Sequence, residues 1–317
     1  RDMGEFGEFL QNARAYKGVT LRDVERATRI NRRYLAALEQ IRFGLEQKEG
    51  FLLLTGLVGT GKTTLCRELL GVLDPRKYRT ALLFNPFLNA HEMLQALLSE
   101  FGCNYPPGAS RKELLDRLNR YLLAQLVEGR ICVAIFDEAQ HLSPELLEQI
   151  RVLSNLETAS DKLLQILLVG QPELRERIQQ SLAQLDQRVS IRCTLQPLSR
   201  QETERYIYHR LNVAGAQGRI QFSARALRRI HQASGGIPRL INLICDRTLL
   251  AGYVAQTMRL GRRHVEQAVA ALRGDLPDGR RARRSPARRV GAVAIGVFLL
   301  AAAAAAGWYA WHVGVIR

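Results

Sequence analysis

Short runs of apolar residues alternate with longer amphipathic segments between residues 50 and 196 of this 317-residue chain. The runs occupy residues 51–55, 80–84, 131–136, 164–169 and 191–195. Continuous apolar runs separated by helices are typical of a parallel β-sheet covered on both faces. The helical segments carry capping signals, namely Asn89 with Glu92, Ser110 with Glu113, and Ser143 before Pro144. The pattern predicts an α/β core over residues 41–196 with a five-stranded parallel sheet.

Only helical periodicity is found on either side of this core. Residues 1–40 have the spacing of three short helices, the third starting at Asn31, and they predict a helix-turn-helix. Four more helices are predicted over residues 202–211, 224–233, 238–251 and 263–272. We therefore expect a small all-helical domain over residues 197–273.

The C-terminal part of the chain has the pattern of a membrane anchor. Residues 274–289 form a linker rich in Arg, Gly and Pro, and residues 290–311 are 22 consecutive uncharged residues, most of them apolar. A helix of that length measures about 33 Å, enough for a hydrocarbon core of about 30 Å. The alternative is a buried core helix, but six arginines before the run and aromatic residues at its end favour a span. The positive-inside rule then places the preceding domains in the cytoplasm and residues 312–317 outside the inner membrane.

The net charge of +16 is concentrated near this segment, because residues 280–317 contain seven arginines and no acidic residue. Residues 1–40 hold eight basic and six acidic residues, a weak excess for a protein that binds a DNA groove. The five cysteines are scattered without a C-x-x-C pair, as expected for reduced thiols in a cytoplasmic compartment. Composition therefore gives little support to nucleic-acid binding.

A phosphate-binding motif follows the first predicted strand. The sequence from Gly56 to Thr63 matches G-x-x-x-x-G-K-[ST] and leads directly into a predicted helix. The glycines let successive N–H groups point at phosphates, Lys62 reaches the β- and γ-phosphates, and Thr63 ligates Mg²⁺. The residues predicted to bind the nucleotide are Gly56, Gly59, Thr60, Gly61, Lys62, Thr63 and Thr64.

Two carboxylates follow the third predicted strand and an amide follows the fourth. Asp137 is expected to ligate Mg²⁺ with Thr63, and Glu138 to activate the attacking water. Gln171 would reach the γ-phosphate if the fourth strand lies between the first and the third. An acidic pair at a strand end can also be a solvated loop, and Gly-Gln-Pro can be only a turn. The order of the strands decides whether Gln171 can reach the γ-phosphate or lies only in a turn.

Six segments together resemble the ExeA/GspA-like AAA+ ATPases of the general secretion pathway. They are residues 42–50, the loop ending Gly61-Lys62-Thr63-Thr64, and residues 136–142, 153–157, 169–174 and 235–242, in the family's order. The resemblance covers residues 41–273, nearly three quarters of the chain. It implies an AAA+ core with a C-terminal helical lid, a homo-oligomer, and ATP with Mg²⁺ as the nucleotide.

The resemblance also implies roles for residues outside the phosphate-binding loop. Gln171 would be the first sensor and Arg239, at the start of a lid helix, the second sensor of the γ-phosphate. Arg188 would act as an arginine finger on a neighbouring subunit, with Arg192 as the alternate. Without the resemblance, an arginine just before a strand is usually a charged side chain exposed to solvent.

Residues 4–39 resemble the helix-turn-helix of RodZ-like cytoskeletal proteins. Tyr34, Leu35 and Leu38 are then the inward positions of its third helix. In a DNA-binding interpretation Asn31 and the two arginines after it would start the recognition helix. The low net charge favours docking to a protein instead.

The function predicted from the sequence is that of a membrane-anchored AAA+ ATPase that powers or regulates assembly of a secretion or pilus machine. The main alternative is a DNA-binding AAA+ ATPase of the transposition-helper or regulatory type. A third hypothesis is a nucleotide-gated scaffold with negligible turnover. A helicase is disfavoured, because the string ending at His141 has an extra residue and no second RecA-like half follows.

Overall fold

The computed structural model describes residues 32–84, 88–158 and 161–274. Its elements in chain order are α1 (Arg32–Glu46), β1 (Phe51–Gly56), α2 (Lys62–Val72), β2 (Tyr78–Leu83), α3 (Ala90–Glu100), α4 (Arg111–Val127), β3 (Ile131–Phe136), α5 (Pro144–Leu153), β4 (Leu164–Gly170), α6 (Pro172–Ser181), α7 (Ala183–Asp186), β5 (Val189–Leu195), α8 (Arg200–Val213), β6 (Gln221–Phe222), α9 (Ala224–Ser234), α10 (Pro238–Val254), β7 (Arg259–Leu260) and α11 (Arg262–Arg273). The described residues up to Glu266 belong to one compact unit, and a second unit begins at Gln267.

A five-stranded parallel sheet lies at the centre of the core, in the order β2-β3-β4-β1-β5. Successive residues of a strand point to opposite faces, so Phe51 and Leu53 pack in one apolar cluster while Leu52 and Leu54 pack in another. The first cluster includes α3 to α7, and the second includes α1 and α2. The expected α/β core with its five parallel strands is confirmed.

Side-chain caps start the helices of the core where the sequence predicts them. Asn89 and Ser110 each form a reciprocal capping box, with Glu92 and Glu113. The Ser143 hydroxyl accepts from a backbone N–H one turn into α5. A further capping box, formed by Ser199 with a glutamate three residues later, starts the first helix after the sheet. These caps fix the points at which the chain leaves each loop.

The first described helix, α1, passes residues 40 and 41 without a break. Leu35 and Leu38 are buried with Ile41 in the cluster that covers one face of the sheet. Gly44 lets α1 approach β1 and β5, since a Cβ there would lie 2.7 Å from a methyl group of Leu52. The helix therefore packs with the core along its length, while the division into domains at residue 40 stays a prediction. Residues 1–31, with the rest of the predicted helix-turn-helix, lie outside the described residues.

The part of the chain after β5 is mainly helical, as expected, and it holds α8, α9, α10 and α11. Two strands of two residues each, β6 and β7, pair in parallel and were not predicted from the sequence. Each is too short to show a period of two. They bring the starts of α9 and α11 to the same end of a small ribbon.

No helix among the described residues is both long enough and apolar enough to cross a membrane. The predicted span at residues 290–311 and its flanks lie outside those residues.

Because β4 is buried at the centre of the sheet, shortening one of its side chains is expected to lower the stability of the protein strongly. Leu167 of β4 is 0% exposed. Leu167→Ala is expected to lower the free energy of unfolding by about 3 kcal/mol, because the cavity at the centre of a sheet collapses poorly. Leu123→Ala, at a position of α4 that is 37% exposed, should cost less than about 1 kcal/mol. Denaturant unfolding of both variants checks this, and equal losses would contradict the described burial.

Candidate active site

The phosphate-binding motif forms the tight loop between β1 and α2. Gly59 and Gly61 have φ values of 79° and 102°, which a residue with a Cβ adopts only with strain. Gly61 is the residue before the first turn of α2, and no side chain among the described residues caps that end. The first N–H groups of the helix are thus open to an anion, and the helix dipole favours negative charge there.

Lys62 is folded back onto this loop. Its side chain is buried, and Nζ donates to the carbonyl oxygens of Gly56 at 2.9 Å and Leu57 at 3.2 Å. Burial lowers the pKa of Lys62, while the carboxylates of Glu138 and Asp137 act in the opposite direction. A buried ammonium whose partners among the described residues are neutral carbonyls of its own loop is suited to exchange them for phosphate oxygens.

The other loop residues fit the same geometry. Thr60 closes the loop by donating from Oγ1 to the Leu57 carbonyl at 2.8 Å. Gly56 leaves no room for a side chain, since a Cβ would lie 2.9 Å from both Thr60 Oγ1 and the carbonyl oxygen of Leu195. Thr64 is exposed in the first turn of α2. All seven predicted nucleotide-binding residues therefore lie in one loop and the helix turn after it.

The side chains of Thr63 and Asp137 are in contact at the carboxyl ends of the parallel strands. The Thr63 hydroxyl donates to Asp137 Oδ2 at 2.7 Å, and the Asp137 side chain is buried. Asp137 Oδ1 accepts from the N–H of Glu138 at 2.8 Å, which fixes the carboxylate. No cluster of three or more His, Cys, Asp or Glu in the described ranges could hold a metal by itself. A hydroxyl and a carboxylate fit Mg²⁺, which uses few protein oxygens together with water and phosphate.

Glu138 has a left-handed backbone with φ of 53°, a conformation that costs a residue with a Cβ some strain. Its carboxylate accepts from Gln140 Nε2 at 2.6 Å. The strand β4 lies between β1 and β3, so Gln171, which follows β4, is at the same edge as Glu138. The condition for Gln171 to face the γ-phosphate is met, although its role stays a prediction.

The helical part of the chain after β5, which is predicted to be a lid, touches the phosphate-binding loop through the start of α10. The Arg239 N–H donates to the carbonyl oxygen of Gly59 at 3.3 Å. A Cβ on Gly59 would lie 2.7 Å from Arg239 Cβ, so the glycine permits this contact. The Arg239 side chain is exposed and makes no hydrogen bond or ion pair with any residue that the structure describes. The predicted second sensor is thus beside the loop, with its charge available.

Arg188 is the predicted site residue that lies apart from the others. Its guanidinium donates to Ser154 Oγ at 2.8 Å and to Asn155 Oδ1, both at the C-terminal end of α5. The alternate, Arg192, donates to the Asp186 carboxylate at 2.8 Å and to a carbonyl of the same residue. Neither arginine contacts the phosphate-binding loop of its own chain, as a finger acting on a neighbour requires.

Sequence reasoning missed two residues that shape the site, Gln140 and Arg177. Gln140 joins Glu138 to the backbone N–H of Gln171, and Arg177 of α6 donates to the carbonyl oxygens of Gln140 and Leu142. The only signal was the position of Gln140 two residues after Glu138. His141, which ends the string that argued against a helicase, is exposed.

Comparisons with known proteins agree with this geometry. Residues 45–178 match the AAA domain family, and residues 9–51 match a helix-turn-helix domain family. The general secretion pathway protein A of Aeromonas hydrophila is 41% identical to this chain over 284 residues. The match covers 89% of this chain and 50% of that protein, so the chain spans half the length of this relative.

Solved structures with the same fold include two proteins of low identity. The Aeropyrum pernix ORC2 protein, in its ADPNP–ADP complexes, has a TM-score of 0.56 at 18% identity and matches over 75% of this chain and 66% of its own. Cdc6p from Pyrobaculum aerophilum has a TM-score of 0.58 at 19% identity, over 73% and 65%. At such identities the likeness shows the fold alone, a P-loop AAA+ core. The resemblance seen in the sequence is confirmed: over most of its length this chain is similar to a general secretion pathway protein A, and it carries an AAA domain and a helix-turn-helix domain.

Proposed function

We propose that this chain binds ATP with Mg²⁺ at the carboxyl ends of β1, β3 and β4, and that it hydrolyses ATP to ADP and phosphate. The observation that carries the proposal is the Thr63–Asp137 pair, with oxygens 2.7 Å apart, beside the buried Lys62 and next to Glu138. The groups proposed to bind phosphate, to ligate the metal and to accept a proton then lie together at the carboxyl ends of these strands. The match of residues 45–178 to the AAA domain family supports the same activity.

In the proposed reaction the protein positions groups and neutralises charge. Lys62 exchanges the carbonyls of its own loop for oxygens of the β- and γ-phosphates. Thr63 and Asp137 would hold Mg²⁺, which when bound would neutralise charge on the phosphates. Glu138 orients the attacking water and accepts its proton, because its carboxylate lies at the strand end beside the metal ligands.

The sensors connect this site to the shape of the molecule. Gln171 contacts the γ-phosphate from the end of β4, and Arg239 contacts it from the lid. The Arg239 backbone already bonds to Gly59, so a change at the phosphates reaches the lid through one hydrogen bond. Loss of the γ-phosphate releases these contacts and changes the lid angle, which is the step that does work on a partner.

We further propose that the working form is a homo-oligomer in which Arg188 completes the site of the neighbouring subunit. Its attachment to Ser154 and Asn155 holds it on the surface at the far end of α5. ATPase turnover per chain should then rise with protein concentration, and Arg188→Ala should reduce it by about 100-fold or more, since a finger acts on transition-state charge.

Turnover of the full chain, measured over a range of concentrations, tests the shared site. Arg192→Ala is the matched variant, because Arg192 is also partly exposed and paired within its own chain. Turnover that is independent of concentration, with a silent Arg188→Ala, would contradict the shared site. A loss only in Arg192→Ala would move the finger to that residue.

For the cellular role we propose a single-pass protein of the inner membrane, anchored through residues 290–311 with its ATPase domain in the cytoplasm. Its partners are envelope proteins of a secretion or pilus assembly machine. The similarity to general secretion pathway protein A over 89% of the chain supports the secretion role, and the apolar run with its arginine flank supports the anchor. Extraction from membranes only by detergent, and its loss when residues 290–311 are deleted, is the expected result.

The helix-turn-helix match over residues 9–51 favours a second candidate, a DNA-binding AAA+ ATPase. Titration of the full chain with duplex DNA at two salt concentrations separates the candidates. Tight binding that weakens steeply with salt would support DNA binding, because each neutralised phosphate releases counterions. Protein docking by these helices predicts no such binding.

A further inference from the structure

The Gln140 side chain lies between the proposed base and the proposed first sensor. Its Nε2 donates to Glu138 Oε2 at 2.6 Å, and its Oε1 accepts from the Gln171 N–H at 3.0 Å. The backbone N–H can only donate, so Oε1 must face it and Nε2 must face the carboxylate. One amide therefore bridges the ends of β3 and β4 at the point where catalysis is proposed.

The surroundings of this amide leave it little freedom. Gln140 sits in a short 3₁₀ turn, Ala139–His141, after β3. Arg177 holds the turn by donating to the carbonyl oxygens of Gln140 and Leu142, both at 2.8 Å. Gly170 provides the space on the other side, because a Cβ there would lie 3.0 Å from Gln140 Oε1. The backbone of the turn is thus held by α6, and the amide is held between Glu138 and the N–H of Gln171.

We propose that Gln140 is a positioning residue that orients the Glu138 carboxylate and couples it to Gln171. The proposal rests on the proposed role of Glu138 as base. The amide holds Oε2, so that the carboxylate keeps one orientation with Oε1 toward the water. When Gln171 moves with the γ-phosphate, its N–H shifts the amide, and the amide shifts the carboxylate.

Two substitutions separate this role from packing. Gln140→Met keeps the length and volume of the side chain and removes both hydrogen bonds. Gln140→Glu keeps an acceptor for the Gln171 N–H but places a second negative charge against Glu138. A residue that only stabilises the turn would tolerate Glu better than Met, whereas a residue that orients Glu138 would not.

The experiment uses the full chain with steady-state ATP hydrolysis, the Kd of a fluorescent ATP analogue, and Tm. We expect kcat to fall about 10-fold in Gln140→Met and about 100-fold in Gln140→Glu, since a small misplacement of a reacting group has effects of that size. The KM for ATP and the analogue's Kd should change less than about threefold, because ground-state binding does not use the amide. Gln180→Met and Gln180→Glu, at an exposed position of α6, are the matched controls and should leave kcat unchanged.

Any of three results overturns the proposal: kcat within twofold of wild type in both Gln140 variants, a wild-type kcat in Gln140→Glu alone, or a loss of kcat that is matched by a rise in Kd or a fall in Tm. Glu138→Gln, measured beside them, separates the two levels of inference. If Glu138→Gln retains turnover, the proposed function itself fails. If it loses turnover and the Gln140 variants do not, only the positioning role fails.

Discussion

Lys62→Ala is expected to raise the Kd for ATP between about 30-fold and about 3,000-fold. Removing one partner of a buried, charged hydrogen-bonded pair costs about 2–5 kcal/mol, and 1.4 kcal/mol is tenfold in Kd. Lys62 is 6% exposed, and among the described residues its ammonium bonds to the carbonyls of Gly56 and Leu57, so no other positive side chain of the loop replaces its charge. Calorimetric titration with MgATP measures the change.

Lys112→Ala is the control for this change. Lys112 is exposed in the first turn of α4, on the other side of the sheet from the loop's own helix. It should bind ATP like the wild type. An unchanged Kd in Lys62→Ala would mean that the loop does not bind phosphates, whereas equal losses in both variants would indicate a general effect of charge.

Glu138→Gln is expected to reduce ATPase turnover by about 100-fold to about 10,000-fold while ATP binding is retained. The amide has nearly the same shape as the carboxylate but cannot accept the proton of the attacking water, and general-base contributions have this size. The Thr63–Asp137 pair, which fits the metal, does not involve the Glu138 side chain. Phosphate release under saturating MgATP checks the prediction.

The matched control is Glu176→Gln, at an exposed position of α6, the helix that follows β4. Its turnover should equal that of the wild type. Unchanged turnover in Glu138→Gln would favour the scaffold hypothesis if the wild type is also nearly inactive. With an active wild type, the same result would assign the base to another residue.

The central strands of the sheet could be predicted because they are buried at every position, as in β1 and β4. Each is therefore one continuous apolar run in the sequence. The edge strands are less completely buried, because β2 mixes buried with half-buried positions and β5 also has exposed ones. Both begin two residues before the predicted run, at Tyr78 and Val189. Their limits are set by pairing with Ile131 and Phe51, which no local pattern shows.

The phosphate-binding residues could be predicted because they are contiguous, from Gly56 to Thr64. The pairing of Thr63 with Asp137 follows from their positions after parallel strands, since Asp137 directly follows β3 and Thr63 starts the helix that the loop after β1 leads into. The Gln140 contact joins residues 31 positions apart through a loop, and only the packing of α6 against that loop brings them together. Such contacts depend on tertiary geometry, so nothing in the sequence pointed to Gln140 except its position two residues after Glu138.

The central claim is that one site at the edge of β1, β3 and β4 binds ATP and uses Glu138 to hydrolyse it. Its most direct test is to identify the nucleotide that remains bound to the full chain after incubation with MgATP and removal of free nucleotide. The account predicts ADP on the wild type and intact ATP on Glu138→Gln. ADP on both would show that another residue is the base, and no nucleotide on either would contradict the site itself.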